Sequence, residues 1–299
     1  MNRKIPRLLL ILFILYLMES LVFVGIDSSQ DQKSFLWKAQ SKTSTVYLLG
    51  SVHFLKQENY PLNPKIEKAF DQSTILVVEA NISDPNKLSP QKLLETAFYL
   101  GDDSLDRHVS RESYEVVRKE MEKLGAPLEL VNRQKPWFLA LTLEAVELLK
   151  LGFDPRYGVD IHFLSKAKET KKILELESLD EQINLLSNFS DGDQELFLLY
   201  TLRDLNVLGE QLDNLVTSWA AGDTKGIESI FTKSVKEDPK LAPIFKRLID
   251  NRNMSMASKI EGYLKTKETY FVVVGAGHLV GEKGIIGILR NKGYLVEQL

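Results

Sequence analysis

Strand-like patterns lie near the two ends of this chain, and helical patterns fill its middle. Most of the stretch between about residues 85 and 265 has the three- to four-residue apolar spacing of helices. Short apolar runs, all but one of them outside this stretch, are typical of strands, and several are continuous, as expected of strands covered on both faces. We therefore predict an α/β fold, with a mixed β-sheet core built from both ends of the chain and a large helical middle or cap. The predicted strands are 35–39, 46–49, 75–79, 173–176, 270–274 and 295–297.

The composition restricts the chemistry that such a fold can perform. The 299 residues include no cysteine, which excludes disulfides, cysteine zinc sites, thiol catalysis and cysteine-linked lipid anchors. Any metal must therefore be held by His, Asp, Glu, Asn or Gln. The net charge of −3, with acidic and basic residues intermixed, gives no electrostatic case for a nucleic-acid partner. The chain also lacks a P-loop, a dinucleotide fingerprint and the G-x-S-x-G motif of serine hydrolases.

The N-terminus predicts export from the cytoplasm. Basic residues within the first seven positions precede residues 8–26, which are apolar apart from two residues, one of them Glu19. By the positive-inside rule the basic end stays in the cytoplasm and the rest of the chain is exported. The run is long enough for a membrane anchor, whereas Glu19 is costly in lipid and no clean cleavage pattern follows. We expect a signal peptide or membrane anchor (1–27), a linker (28–34) and an extracytoplasmic or periplasmic domain (35–299), either anchored or secreted.

Two segments share one pattern, an apolar strand followed by glycine, two further residues and histidine. They are YLLGSVH, which ends at His53, and FVVVGAGH, which ends at His278. Two other strands end in a carboxylate, at Glu79 in ILVVEAN and at Glu177 in KKILELES. Ligands of open α/β sheets bind at the carboxyl ends of the strands. We therefore expect two histidines and two glutamates to lie along one edge of the sheet.

Such a cluster has the donor atoms of a metal site. Imidazole nitrogens and carboxylate oxygens together suit Mn, Fe, Co or Zn. A metal with an open position activates a bound water and polarises a carbonyl, and a carboxylate outside the metal shell can act as general base. One histidine after a strand is more often structural, but the repeated pattern together with Glu79 makes a metal site an equal alternative. The remaining histidines, His108 and His162, are expected at the surface or in packing.

Motifs in a fixed order along the chain resemble the TraB/GumN family, which includes the animal Tiki proteins. They are GSVH at 50–53, Glu79 in VVEAN, YGVD at 157–160, KKILELESLDEQ up to Gln182, RN at 252–253 and GAGH at 275–278. The resemblance implies a fold akin to the haem-binding ChaN and erythromycin-esterase group. It also implies a metal-dependent hydrolase whose site is the paired histidines and the acidic residue. Tiki members are described as proteases that use divalent metals such as Mn or Co, while other members are associated with pheromone shutdown in conjugation and with polysaccharides.

Other residues in these motifs each have two interpretations. Tyr157 could donate a hydrogen bond to a developing oxyanion and Asp160 could orient a histidine, or both could belong to a helix cap. Arg252 could pair with Glu177 or bind a substrate carboxylate, or it could be a solvated surface arginine. Gln182 is expected to contact the backbone of a neighbouring loop, without a chemical role.

These features predict an exported, membrane-tethered, metal-dependent hydrolase, in particular a peptidase acting on a peptide or protein. The predicted metal ligands, for Mn, Co or Zn, are His53, Glu79 and His278. The predicted catalytic residues are Glu79, Tyr157, Glu177 and Arg252. One alternative is a non-catalytic envelope protein that binds haem, a metal or a signalling peptide in the same pocket. Another is an envelope interaction protein with structural histidines. The predicted partners are the substrate and, through the N-terminal segment, the membrane.

Overall fold

The structure is a computed structural model that describes residues 33–84, 87 and 89–299. The predicted signal peptide or anchor, residues 1–27, and most of the predicted linker lie outside the described residues. Ser34, at the end of that linker, is buried, and its backbone N–H donates to the carbonyl of the last residue. None of the helices in the described part of the chain is long and apolar enough to cross a membrane.

The described residues contain one six-stranded sheet. Every strand lies within two residues of its predicted bounds, because a continuous or alternating apolar run bounded by polar residues is a strong strand signal. The prediction of an α/β fold with strands from both ends of the chain is therefore confirmed. The strands are β1 (Leu36–Gln40), β2 (Thr45–Ser51), β3 (Ile75–Val78), β4 (Lys172–Glu175), β5 (Thr269–Gly275) and β6 (Leu295–Gln298).

The sheet is mixed, and its order is β4-β3-β5-β2-β1-β6. The first four strands in this order are parallel, whereas β1 is antiparallel to both β2 and β6. Strand β5, from the end of the chain, lies between β2 and β3, so the connection from β2 to β3 crosses over it. The carboxyl ends of four neighbouring strands consequently meet at one edge, and this edge is where α/β folds bind ligands.

Helices fill the middle of the chain, as predicted. The apolar spacing of the sequence predicts continuous helices at 193–221 and 239–266. In the structure the first is divided by a 3₁₀ turn at Leu205–Val207, and the second contains the π-helix Lys246–Asp250. One helix was not predicted, since Gly287 interrupts the apolar pattern of its seven residues and lowers helix propensity. The helices of the described residues are α1 (Pro64–Asp71), α2 (Pro90–Ala97), α3 (Arg111–Lys123), α4 (Pro136–Lys150), α5 (Val159–Ala167), α6 (Leu179–Ser187), α7 (Asp191–Asp204), α8 (Leu208–Ala220), α9 (Thr224–Glu237), α10 (Ala242–Phe245), α11 (Asn251–Tyr263) and α12 (Ile285–Asn291).

The main core is formed by the sheet and the helices next to it. Strand β5 is almost completely buried, and the ring of its Phe271 contacts Phe70 of α1 and Phe163 of α5, with centroids 5.5 and 4.8 Å apart. Apolar side chains of α11 and α12 belong to the same cluster. The helical middle has a separate cluster, in which Leu139 of α4 and Leu198 of α7 are fully buried. Part of the helical middle therefore has an apolar core of its own, separate from the core of the sheet.

Candidate active site

Four side chains follow the carboxyl ends of the four parallel strands, as the sequence predicts. Glu177 follows β4, Glu79 follows β3, His278 follows β5 and His53 follows β2. Because these strands are neighbours in the sheet, the four side chains lie along one edge. The contacts described below connect them into one polar cluster.

His53 is held by a carboxylate from the start of α5. Its Nδ1 lies 2.7 Å from Oδ2 of Asp160, so an Nδ1–H donates to the carboxylate and Nε2 is left facing the cluster. The chain enters α5 against the backbone of His53, since a Cβ at Gly158 would lie 2.3 Å from the His53 carbonyl oxygen. Glycine is required at this close approach.

His53 is exposed to solvent and lies next to a negative charge. Its side chain is 58% exposed, which makes it the open side of the cluster. The negative charge of Asp160 is the largest influence on this imidazole and, with the hydrogen bond between them, raises the pKa of His53 to about 9. An unliganded His53 is therefore protonated at neutral pH.

His278 is oriented by an amide instead. Asn253 of α11 places its Oδ1 2.7 Å from Nδ1 of His278, and its amide nitrogen donates to the carbonyl of Lys283 at 2.9 Å. The second bond fixes the amide orientation, so Nδ1–H of the histidine is the donor and Nε2 carries the free lone pair. Burial lowers the pKa of His278 to about 4, which leaves the ring neutral at pH 7.

Glu79 lies between the two histidines and a cationic group. Its Oε1 accepts from Gln182 at 2.8 Å and from Arg252, while its Oε2 accepts from the Gly275 N–H at 3.1 Å. His278 Nε2 lies 3.8 Å from the same Oε2. Burial acts to raise the pKa of Glu79. It is outweighed by His278, which carries a proton in the low pH range where Glu79 titrates, by the charges of Arg252 and His53, and by the Gly275 N–H, and together these lower the pKa of Glu79 to about 2. Glu79 is therefore an anion at neutral pH.

Arg252 joins the two glutamates. Its Nε and Nη2 contact both carboxylate oxygens of Glu177 at 2.7–3.1 Å, and the same Nη2 contacts Glu79. Gln182 also reaches both glutamates, with 3.3 Å to Glu177. All three charged side chains are less than one fifth exposed. One arginine thus balances part of the charge of two buried carboxylates and fixes their orientation.

Gly275 marks the space that the donor atoms share. A Cβ built on this glycine would lie 3.5 Å from His53 Nε2, 3.6 Å from Glu79 Oε2 and 3.5 Å from His278 Cδ2. Glycine at the end of β5 leaves this volume empty. The two histidines and Glu79 therefore surround a small space whose floor is the backbone of Gly275.

The donor set of this space fits a divalent metal. Two ligands at about 2.1 Å from one ion can be no more than about 4.2 Å apart, and the 3.8 Å between His278 Nε2 and Glu79 Oε2 satisfies this limit. The described residues contain no closed group of three His, Asp or Glu side chains that could hold a metal as they stand. Binding would require the three side chains to move closer together.

Of the remaining predicted residues, two make contacts within the cluster and one makes contacts elsewhere. Arg252 pairs with Glu177, which is one of the two predicted interpretations, and Asp160 orients a histidine. Tyr157 makes other contacts: its ring lies 6.4 Å from that of Tyr60, and its carbonyl accepts from the Tyr60 hydroxyl. The role of Tyr157 as an oxyanion donor stays a prediction.

Two polar residues make hydrogen bonds to the cluster that the sequence did not indicate. The sequence suggests that Gln182 could contact the backbone of a neighbouring loop, and in the structure its side-chain amide donates to both glutamates. Asn253 was noted only as part of the RN motif, and it orients His278. His162 and His108 are outside the cluster, bonded to Glu67 and Asp103 respectively, as expected of histidines in packing or near the surface.

The fold and the site define an α/β protein with a cluster of histidines and carboxylates at the strand ends. The chain belongs to the TraB/PrgY/gumN family, whose sequence model matches residues 35–298. This membership confirms the family resemblance carried by the motifs.

Individual relatives are distant. The chain is 25% identical over 245 residues to the uncharacterized protein YbaP of Escherichia coli, covering 82% of this chain and 87% of that protein. An uncharacterized protein of Treponema pallidum is 22% identical over 285 residues, covering 88% of this chain and 82% of that protein. A protein named metalloprotease TIKI1 from Danio rerio is 25% identical over 322 residues, covering 89% of this chain and 63% of that protein. No solved structure matches the chain.

Proposed function

We propose that this protein is a metal-dependent hydrolase that cleaves peptide bonds at the strand-end cluster. The observation that carries the proposal is the space over Gly275, which His53 Nε2, Glu79 Oε2 and His278 surround within 3.6 Å of one point. Distant relatives with the name metalloprotease support the reaction class, although this chain spans only 63% of the first of them. Mn, Co and Zn suit the nitrogen and oxygen donors.

Each residue of the cluster has a distinct part in this proposal. His53, Glu79 and His278 would hold the ion, and Asp160 and Asn253 would keep Nε2 of each histidine directed at it. When bound, the metal would polarise the scissile carbonyl and activate a water molecule. A carboxylate whose pKa is about 2 accepts protons poorly, so Glu79 is better suited to bind the cation than to act as general base. Arg252 and Gln182 position the Glu79 carboxylate.

The cellular setting is part of the same proposal. The basic N-terminus followed by the apolar residues 8–26 supports export and tethering to the membrane, which would place the site outside the cytoplasm. A peptide or protein of the cell envelope would then be the substrate. The fold relationship to the ChaN and erythromycin-esterase group stays a prediction, as does the alternative of a protein that binds its ligand without cleaving it.

Replacing Gly275 by alanine is expected to block metal binding while the fold is kept. The backbone of Gly275 has a φ of −50°, which alanine adopts freely, and the added methyl group meets its neighbours at ordinary contact distances of 3.5 Å or more. The methyl group would occupy the space among the three donors. We expect metal affinity, measured by titration calorimetry, to fall by at least about a hundredfold, more than is usual for an outer-shell change.

Gly262→Ala is the matched control for this substitution. Its Cβ would meet no atom within 4 Å, and it lies in α11, remote in sequence from the donors. This variant should bind metal and cleave a peptide mixture as the wild type does. If Gly275→Ala also binds metal normally, the ion is not held at this cluster. If the wild type binds metal but cleaves no peptide under metal-replete conditions, the non-catalytic alternative is the better one.

The pH dependence of metal binding is expected to follow His53. A proton on His53 competes with the metal, so affinity should fall about tenfold for each pH unit below the pKa of this histidine. Because Asp160 raises that pKa, the fall should begin at a higher pH than the 6.5 of a free imidazole. In Asp160→Asn the carboxylate charge is gone, and the onset should move to lower pH. Titrations between pH 5.5 and 9.5 cover both onsets, because the pKa of His53 in the wild type is about 9. Identical onsets would contradict the assignment of His53.

A further inference from the structure

Ser51 is a buried serine without a hydrogen-bond partner. Its residue is 3% exposed, and its Oγ has no partner among the described residues. Leaving a buried hydroxyl unsatisfied costs about 1–3 kcal/mol, so such groups are rare and call for an explanation. Two other buried side-chain atoms of the described residues lack a hydrogen-bond partner, the amide oxygens of Gln134 and Gln194 in the helical middle. Ser51 is the one that lies at the edge of the sheet.

Other buried serines of the described chain show that this condition is unusual. The hydroxyl of Ser44 donates to the carbonyl of Glu268 at 2.8 Å, and that of Ser73 donates to the carbonyl of Ala69 at 2.8 Å. Both are as deeply buried as Ser51. The fold therefore satisfies these hydroxyls with backbone and leaves Ser51 without a comparable acceptor.

The register of the sheet places Ser51 beside the empty space over Gly275. Ser51 is the last residue of β2, and its partner in the parallel ladder is Gly275, the last residue of β5. Registered residues of neighbouring strands lie about 4.8 Å apart and share a face of the sheet. The Ser51 side chain is therefore on the face toward which a Cβ of Gly275 would point, and that Cβ would lie 3.5 Å from His53 Nε2.

We propose that the Ser51 hydroxyl donates a hydrogen bond to an oxygen atom of the ligand that enters this space, a carbonyl or carboxylate oxygen of a peptide. This inference rests on the proposed function and assigns one more residue to substrate binding. Ligand binding would give the hydroxyl the acceptor that the free protein does not provide. The interaction is non-covalent, and Ser51 contacts no side chain in the described structure that could activate it as a nucleophile.

The proposal is tested with a small probe and the full chain. Acetohydroxamate carries a carbonyl oxygen and binds metal, and its affinity for the Co-loaded protein can be followed by visible absorption. In Ser51→Ala we expect the probe to bind about tenfold more weakly, the usual effect of one lost hydrogen bond to a ligand, with metal affinity unchanged. The melting temperature should be equal to or higher than that of the wild type, since an unsatisfied buried hydroxyl is removed. Ser51→Cys, which is similar in size but a weak donor, should lose probe affinity to a comparable extent.

Ser44→Ala is the matched control, because it makes the same substitution at a buried serine whose hydroxyl is satisfied. It should lower the melting temperature and leave probe affinity unchanged. Equal probe affinity in wild type, Ser51→Ala and Ser51→Cys, with metal bound in all three, would overturn the role of Ser51 and leave the proposed function standing. A wild type that binds neither metal nor probe would overturn both.

Discussion

Replacing His53 by alanine is expected to reduce divalent-metal affinity by more than about a hundredfold, beyond the 10- to 100-fold typical of outer-shell residues. His53 and His278 supply two of the three donor atoms around the Gly275 space. The other two histidines of the described chain, His162 and His108, are bonded to Glu67 and Asp103 outside the cluster. His278→Ala should have an effect of the same size. Metal content of the purified variants, measured by mass spectrometry after dialysis, gives the result directly.

The prediction includes a graded series of controls. Asn253→Ala removes only the group that orients His278 and should cost about 10- to 100-fold in affinity. His162→Ala should leave metal binding unchanged, because His162 is bonded to Glu67 outside the cluster. If His162→Ala and His53→Ala lose metal equally, or neither loses it, the histidines of the strand ends are structural and the cluster is not a metal centre.

Replacing Arg252 by methionine is expected to cost about 3–5 kcal/mol in the free energy of unfolding, as is usual when one partner of a buried ion pair is removed. Glu79 and Glu177 are about one tenth exposed, and Arg252 contacts both of them. Without the guanidinium, Gln182 is the side chain of the described residues that still donates to both carboxylates, and it carries no charge. Chemical denaturation of the metal-free protein at pH 7 measures the loss.

The sign of the pH dependence gives a second check on this variant. Because Arg252 is one of the groups that lower the pKa of Glu79, loss of its charge raises that pKa in the folded state, and repulsion between the two carboxylates is relieved once Glu79 is protonated. The difference from the wild type should therefore shrink as the pH falls toward 4 and be largest at neutral pH. Arg118→Met provides a contrast, because Arg118 pairs with glutamates on the exposed surface of α3 and should change stability little. A small effect of Arg252→Met at pH 7 would contradict the role of Arg252 in stabilising the two carboxylates.

The sequence predicts the strand ends well because their signal is local. An apolar run that ends in glycine and histidine, as before His53 and His278, specifies both a strand and the position of its last side chain. The order of motifs then indicates which carboxylates, Glu79 and Glu177, belong with them. The structure brings these four residues together at neighbouring strands, without any further assumption about the helices between them.

The supporting residues could not be found in the same way. Asn253 lies on α11 and Gln182 on α6, and each looks like an ordinary polar helix residue in the sequence. Their contacts with His278 and Glu79 depend on how the helices pack on the sheet, which periodicity does not specify. A signal was present in the RN and LDEQ motifs, but only a structure shows which atom each amide reaches. The orphaned hydroxyl of Ser51 likewise depends on tertiary contacts that the GSVH motif does not reveal.

The most direct test of the central claim is the location of a bound metal in crystals of the protein grown with Mn or Co. Anomalous scattering above and below the absorption edge of the metal identifies its position without reference to the proposed chemistry. The account predicts one strong peak over Gly275, about 2.0–2.3 Å from Nε2 of His53, Oε2 of Glu79 and Nε2 of His278. A peak elsewhere, or none at this position under metal-replete conditions, would contradict it.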